Sequence, residues 1–439
     1  MGASAMCWAG LAMGGEWITC RLADACSSID YGLTASASDR ESGPRFLRIT
    51  DIVTGRINWD AVPGVNVDEQ SAQKYRLDHG DIVLARTGAS TGCSSYINAP
   101  PRAVFASYLV RLKIGPEFDP RYIAYYLKSD AFGAFIRGVM DEKSAQPNAS
   151  ASTMTSAPIR APKDVRVQRT ISHLLGSLDD KIELNCRMAE TLEGMARAIF
   201  KSWFVDFDPV RAKAKGRPTG LPDDLTALFP DRFGADGLPE GWGPITLAEL
   251  ADLNSESWSR SNYPAAIQYV DLSNTKWGTI EAFEHYARDA APSRAQRILR
   301  LGDTLVGTVR PGNGSYALID ENGKTGSTGF AALRPKRSAF RELVYLAATS
   351  PENIERLAQL ADGGAYPAVR PDVVAATEIP GFSRQVVEAF AKAVAPLIDR
   401  MESAKRESRT LATLRDTLLP KLISGELRIA DAEQRIAAA

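Results

Sequence analysis

Apolar residues recur at two different periods along this chain, and the changes of period lay out its elements. From Val167 to Phe204 the period is seven: Ile171, Leu178, Asn185, Leu192 and Ile199 share one position, and Leu174, Met188 and Met195 share a partner position. From Phe390 to Ile423 the same period returns with Phe390, Leu397, Ala404, Leu411 and Leu418. A seam kept apolar over four or more heptads predicts a long helix that buries its seam against another helix. The first would be about 55 Å long at 1.5 Å per residue. Elsewhere, short β-branched runs end in Gly-rich turns, as in IVLARTG from Ile82 and TLVGTVRPG from Thr304. They predict strands feeding exposed loops.

These patterns occur twice. LDHGDIVLARTGASTG from Leu77 is echoed by LRLGDTLVGTVRPGNG from Leu299, which places Gly80 and Gly302 222 residues apart. Trp17 matches Trp242 at an offset of 225, Ile159 matches Ile379 at 220, and the helical segments match at 219. In both halves an X-Pro pair, Gln146-Pro147 or Tyr366-Pro367, stands twelve residues before the closing isoleucine. Collinear matches with a slowly drifting offset indicate a diverged duplication, and a repeat governs every other inference about fold.

The expected fold is α+β. Two similar α/β bodies are joined by two long antiparallel coiled-coil helices in a pseudo-two-fold internal repeat. The boundaries fall at 15–166 for the first body, 167–206 for the central helix, 207–239 for a linker, 240–384 for the second body, 385–425 for the distal helix and 426–439 for a tail. The linker is rich in Pro, Gly and charge and reads as a loop. Its basic run (Arg211, Lys213, Lys215, Arg217) reads as a solvated stretch, with phosphate contact as the alternative. Asn185 sits mid-seam with nothing obviously polar opposite it at Ala404; it either fixes register or lies partly exposed. Trp203 is expected in a core.

Composition narrows the classes. A hydrophobic fraction of 44%, a charged fraction of 24% and a net charge of −1 fit a globular protein without a strong overall field. No apolar run suggests a membrane partner. Five scattered cysteines without a CxxC, and three histidines far apart in sequence, fit a reducing cytoplasm rather than a disulfide framework or metal site.

Catalytic motifs are missing from the sequence. It has no (D/N/S)PP(Y/F) tetrapeptide and no S-adenosylmethionine glycine motif. Gly323-Lys324-Thr325 suggests a phosphate loop, but Leu318 stands where its first glycine would be, so a β-turn with a solvent-facing Lys324 is expected instead.

Two similar modules on a rigid spacer suit a linear ligand carrying two separated marks, which describes double-stranded DNA. Candidate DNA contacts are Arg86, Thr87, Ser90 and Thr91 at the first Gly-rich turn, and Arg310, Asn313 and Ser315 at the second. Arginine is the commonest reader of guanine edges, while Ser, Thr and Asn serve bases and phosphates. A second cluster comprises Lys143, Ser144, Gln146 and Asn148, matched by Tyr366 and Arg370. For each residue, a polar loop tip without any contact is the competing account.

AIFKSWFVDFDPVRAK from Ala198, GLP from Gly220, LFPDRF from Leu228 and LPEGW from Leu238 resemble the central region of type I restriction-modification specificity subunits. LRDTLLPKLISGELRI from Leu414 resembles their distal region. GDIVLARTG from Gly80 and SAQPNAS from Ser144 resemble their target-recognition domains. Departures are Thr304, Gly307-Thr308 and Tyr366-Pro367 in the second half.

The resemblance implies a chain without catalysis of its own or a cofactor of its own. Each target-recognition domain would read one half of a bipartite asymmetric DNA site. The helices would set the spacing and dock two methyltransferase subunits, with endonuclease-translocase subunits joining that core. S-adenosylmethionine, ATP and Mg would belong to those partners. A coiled-coil scaffold with two protein-binding β-rich modules is the alternative.

Overall fold

The computed structural model describes residues 16–39, 41, 43–53, 55–140 and 148–437. The chain divides into two compact units: one is the segment up to Ile182 together with Thr410–Ala439, the other is Glu183–Arg409. The two long helices, Val165–Phe204 and Arg384–Ser424, each contribute a stretch to both units.

In the first unit, strand Trp17–Arg21 pairs antiparallel with Pro158–Pro162, setting Cys20 opposite Ile159. The main sheet is antiparallel and runs in the order Cys26–Tyr31, Leu109–Ile114, Ile82–Ala85, Ser94–Tyr96. Ile82–Ala85 is buried at every position, as a central strand covered on both faces must be. Helix Pro120–Tyr126 starts with Asp119, whose carboxylate accepts from the Tyr122 N–H, and with proline in the first helical position. Tyr122 and Ile123 share one core with Ile171, Leu175 and Leu178 of the first long helix and Leu418 and Leu422 of the second.

The second unit repeats this plan with an addition. Pro244–Thr246 pairs antiparallel with Glu378–Pro380, setting Ile245 opposite Ile379. The main antiparallel sheet runs Ala251–Leu253, Phe330–Pro335, Thr304–Gly307, Tyr316–Leu318. Where the first unit has a parallel pair, Arg45–Leu47 with Ala103–Phe105, the second has a four-stranded sheet built around the parallel pair Ala266–Val270 and Lys324–Ser327.

The duplicated Gly-Asp pair is a structural device. Gly80 and Gly302 take positive φ, 91° and 88°, a region that disfavours any residue bearing Cβ. The next residue, Asp81 or Asp303, is buried and accepts from the backbone N–H three residues earlier: Asp78 at 2.9 Å, Arg300 at 2.8 Å. Each carboxylate also meets a cation from the neighbouring strand, Lys113 at 3.0 Å or Arg334 at 2.8 Å. Both pairs therefore close the turn that starts the central strand.

Within the second unit the helices run antiparallel. Asn185 Nδ2 donates to Glu407 Oε2 at 2.9 Å, while Phe204 meets Phe390 at 5.0 Å between ring centroids. Asn185 is fully buried and has a polar partner, contrary to the expectation from Ala404 alone. Ile171, Leu178 and Leu418 are buried, while Leu192, Ile199, Leu397 and Leu411 pack against the cores at their edges.

The second seam position is displaced by one residue from the expected one. It holds Leu175, Ala189, Ala196 and Trp203, whereas Met195 is half exposed. Spacings of three and four both lie on one helical face, and contacts from the rest of the unit choose between them.

The segment expected as a loop carries two short helices, Asp208–Ala214 and Asp223–Thr226. Its Phe207, Val210 and Phe229 join Trp203, Trp242 and Phe390 in one core, with Trp203 and Phe229 edge-to-face at 5.0 Å. The basic run is partly consumed by this packing. Lys213 Nζ donates to the carbonyls of Thr226 and Phe229, and the Arg211 guanidinium lies 5.5 Å over the Phe233 ring.

Lys324 is also not where the sequence suggested. It begins a strand and is buried, donating to Asp320 Oδ1 at 2.8 Å and Glu321 Oε2 at 3.1 Å. A lone Lys in a Gly-rich turn looks solvated; four residues back, Asp320 supplies the countercharge that lets it be buried. Among the described residues no helix is long and apolar enough to cross a membrane.

Candidate nucleic-acid interface

In the first unit the central strand ends at Ala85, and Arg86 and Thr87 lead into a short turn, Gly88–Ser90. Two backbone contacts bring Asn148, the described member of the second sequence cluster, to this turn. The Ala149 N–H donates to the Arg86 carbonyl at 2.9 Å, and Thr87 bridges Asn148. The Arg86 guanidinium lies 5.0 Å over the ring of Tyr31, itself half exposed, and its Nε is buried without an acceptor among the described residues. Thr91 is turned inward, its hydroxyl donating to the Gly88 carbonyl at 2.7 Å. Ser90 is half-buried and Asn148 exposed. Lys143, Ser144 and Gln146 lie outside the described residues.

The second unit builds its turn in the same way. After Thr304–Gly307 the chain reaches Arg310, exposed and left-handed at φ 47°, then Pro311–Asn313. The Arg310 N–H donates to the Pro367 carbonyl at 2.7 Å, and Val309 bridges Ala368. The guanidinium lies 4.5 Å over the ring of Tyr366, which is 71% exposed, and donates to the Ala365 carbonyl at 2.6 Å. Asn313 is exposed. Ser315 is not presented: it is buried and its hydroxyl donates to the Leu272 carbonyl at 3.2 Å. Arg370 is exposed and bonded to Asp372, which raises the pKa of the guanidinium and lowers that of the carboxyl.

Each unit thus shows an arginine laid on a tyrosine, at the end of the central strand and beside the segment that leads to the closing strand. A guanidinium placed over an aromatic face keeps its charge and its N–H donors. The arrangement can meet phosphate oxygens or the O6/N7 edge of guanine, and nothing in it performs bond chemistry. Tyr31 was not singled out from sequence, because no local signal joins it to Arg86. Tyr366 was, through the matched X-Pro pairs.

Sequence reasoning also missed a second repeated geometry, by which a short helix of each unit is tied to a long helix. Arg121 pairs with Asp180 at 2.6 Å in the first unit, and Arg341 pairs with Asp399 at 2.5 Å in the second. The offsets, 220 for the arginines and 219 for the aspartates, are those of the repeat and were the available signal. The second unit adds a buried ionic group. Asp320 meets Lys324 and Arg409, and Lys405 meets Glu402 at 3.0 Å while donating to the Gly278 carbonyl at 2.8 Å. Burial raises the Glu402 carboxyl above its ordinary value against the opposing pull of Lys405.

No family model matches the chain. The type I restriction enzyme HindI specificity subunit of Haemophilus influenzae is 26% identical to it, covering 87% of this chain and 94% of the relative. The type I restriction enzyme MjaIX specificity subunit of Methanocaldococcus jannaschii is 21% identical, covering 81% and 76%. Among solved structures, the S subunit of a type I restriction-modification system from M. genitalium is similar in fold. Its TM-score is 0.57 at 16% identity, covering 94% of this chain and 97% of that one.

Proposed function

We propose, from the premise that this chain is of the type I restriction-modification specificity-subunit kind it resembles over most of its length, that it reads DNA without catalysing a reaction. Each unit binds one half of a bipartite, asymmetric site in double-stranded DNA. The observation that carries this reading is the arginine-on-tyrosine turn, built once in each unit on equivalent strands. Arg86, with Thr87, Ser90, Asn148 and the Lys143 and Gln146 segment, serves one half-site, while the inward Thr91 holds the turn. Arg310, with Asn313, Tyr366 and Arg370, serves the other. The two turns differ in sequence, so the half-sites differ.

The paired helices supply the spacing and a docking surface for two methyltransferase subunits, with endonuclease-translocase subunits beyond them. S-adenosylmethionine, ATP and Mg act on those partners. Support comes from the helix faces themselves: Ile171 and Leu178 are buried in the first unit's core, and Ala189 and Ala196 in the second's.

Methylome sequencing of cells with and without this gene tests the proposal. Adenine methylation at one bipartite motif is expected to vanish when the gene is deleted. Methylation of the same motif by the partner subunits alone would refute it.

A further inference from the structure

Trp277 stands at the tip of a hairpin in the second unit and breaks two ordinary preferences at once. Strands Thr275–Lys276 and Thr279–Ile280 pair antiparallel with Lys276 opposite Thr279, leaving Trp277 and Gly278 as a two-residue turn. Both have positive φ, 46° and 80°, the combination for which Asn-Gly is the favoured pair. A tryptophan in the left-handed region is a steric outlier. Its indole is also 59% exposed, although burial is the usual return on so large an apolar side chain. Strain retained together with exposure points to a use for the exposed ring.

The turn is anchored on several sides. The Trp277 N–H donates to the Gly314 carbonyl at 2.7 Å, the Gly278 N–H to the Tyr316 carbonyl at 2.9 Å, and Lys405 Nζ to the Gly278 carbonyl at 2.8 Å. The indole stands edge-to-face on Tyr316 at 6.0 Å. Gly314 is required beneath it, because a Cβ there would lie 2.6 Å from the indole ring. Gly314 ends the turn that begins with Arg310, so the ring rests on the element that carries the exposed arginine.

We propose that Trp277 is a DNA-contacting residue of the second unit, its indole packing on the duplex beside the bases met through Arg310. The inference rests on the DNA-reading function above and adds an aromatic contact to it. The occupant is duplex DNA, since the ring packs over Gly314, which closes the turn bearing the exposed Arg310 and Asn313. An indole offers a flat apolar face to a deoxyribose or to a thymine methyl in the groove, and its N–H donates to phosphate or to base-edge acceptors.

The test measures binding of the chain, assembled with its methyltransferase partner, to a duplex carrying the methylome-mapped site. W277N installs the favoured turn pair, so its Tm is expected to equal or exceed wild type while Kd rises about tenfold or more. W277F keeps an aromatic face and is expected to lose about threefold or less. On a duplex whose second half-site is scrambled, the gap between wild type and W277N should close. Binding by W277N within about twofold of wild type on the intact site, or an undiminished gap on the scrambled one, overturns the inference. Wild-type protein that does not distinguish its site from the scrambled duplex would instead refute the DNA-reading function itself.

Discussion

Asp320→Ala removes the carboxylate at the centre of the second unit's buried ionic group. The carboxylate is 2% exposed and faces Lys324 Nζ, itself 1% exposed, at 2.8 Å. It also receives the Arg409 guanidinium from the second long helix, and its backbone carbonyl accepts from Arg406 at 3.3 Å. Removing it leaves the Lys324 ammonium, among the described residues, with the face of Phe283 and with Glu321, whose carboxylate is 59% exposed.

Deleting one partner of a buried pair costs about 3–5 kcal/mol, because the remaining charge stays desolvated without compensation. Urea unfolding of the purified chain, with amide exchange to localise the change to Glu183–Arg409, measures that loss. Asp320→Ala combined with Lys324→Met should recover most of it, since an apolar replacement of both partners is close to neutral. Lys163→Ala, which removes the exposed partner of Glu16, should leave stability nearly unchanged.

The pH dependence has a definite sign. Burial alone would raise the Asp320 carboxyl, but Lys324 and Arg409 outweigh it and hold it below its ordinary 3.8. A carboxyl depressed in the folded state contributes stability in full above about pH 3.8, and the contribution drains as pH falls through the lower folded value. The difference between wild type and Asp320→Ala should therefore narrow below about pH 3.8. A cost under about 1 kcal/mol at neutral pH would refute the reasoning, since it would mean that Lys324 finds solvent or another partner without penalty.

Three other outcomes follow from the same geometry. Arg86→Ala and Arg310→Ala should each relax discrimination in one half-site by about 1–3 kcal/mol and leave the other half-site unchanged, as read by methylation of single-base site variants. Arg341→Ala should destabilise more than Arg121→Ala, by urea titration. Arg341 neutralises the buried Glu342 at 2.7 Å, a loss of about 3–5 kcal/mol, whereas Arg121 meets a solvated Asp180, worth about 1 kcal/mol. Seven residues inserted after Asn185 and seven at the matching position near Ala404 add about 10 Å of helix, so the gap between the two halves of the methylated motif should grow by about three base pairs. An unchanged gap would show that the helices do not set it.

Local chemistry determined what the sequence could show. The strand-ending turns at Arg86 and Arg310, the two long helices and the seam position shared by Ile171, Leu178 and Asn185 all depend on neighbours within a few residues, and the duplication shows because these local patterns recur. A heptad, a positive-φ glycine or a β-branched run therefore announces them.

Only the tertiary structure decided where charge and surplus apolar area would go. Lys324 is buried because Asp320 and the sheet enclose it, and Asn185 has a partner because Glu407 arrives from 222 residues away. The choice of Ala189 and Ala196 over Met188 and Met195 was made by what covers each face of the helix. The arginine-on-tyrosine pairs join residues 55 and 56 positions apart, Arg86 with Tyr31 and Arg310 with Tyr366. Period and composition act along the chain, whereas desolvation and ion pairing are settled by whichever groups meet in space. That is why the elements could be foreseen and their partnerships could not.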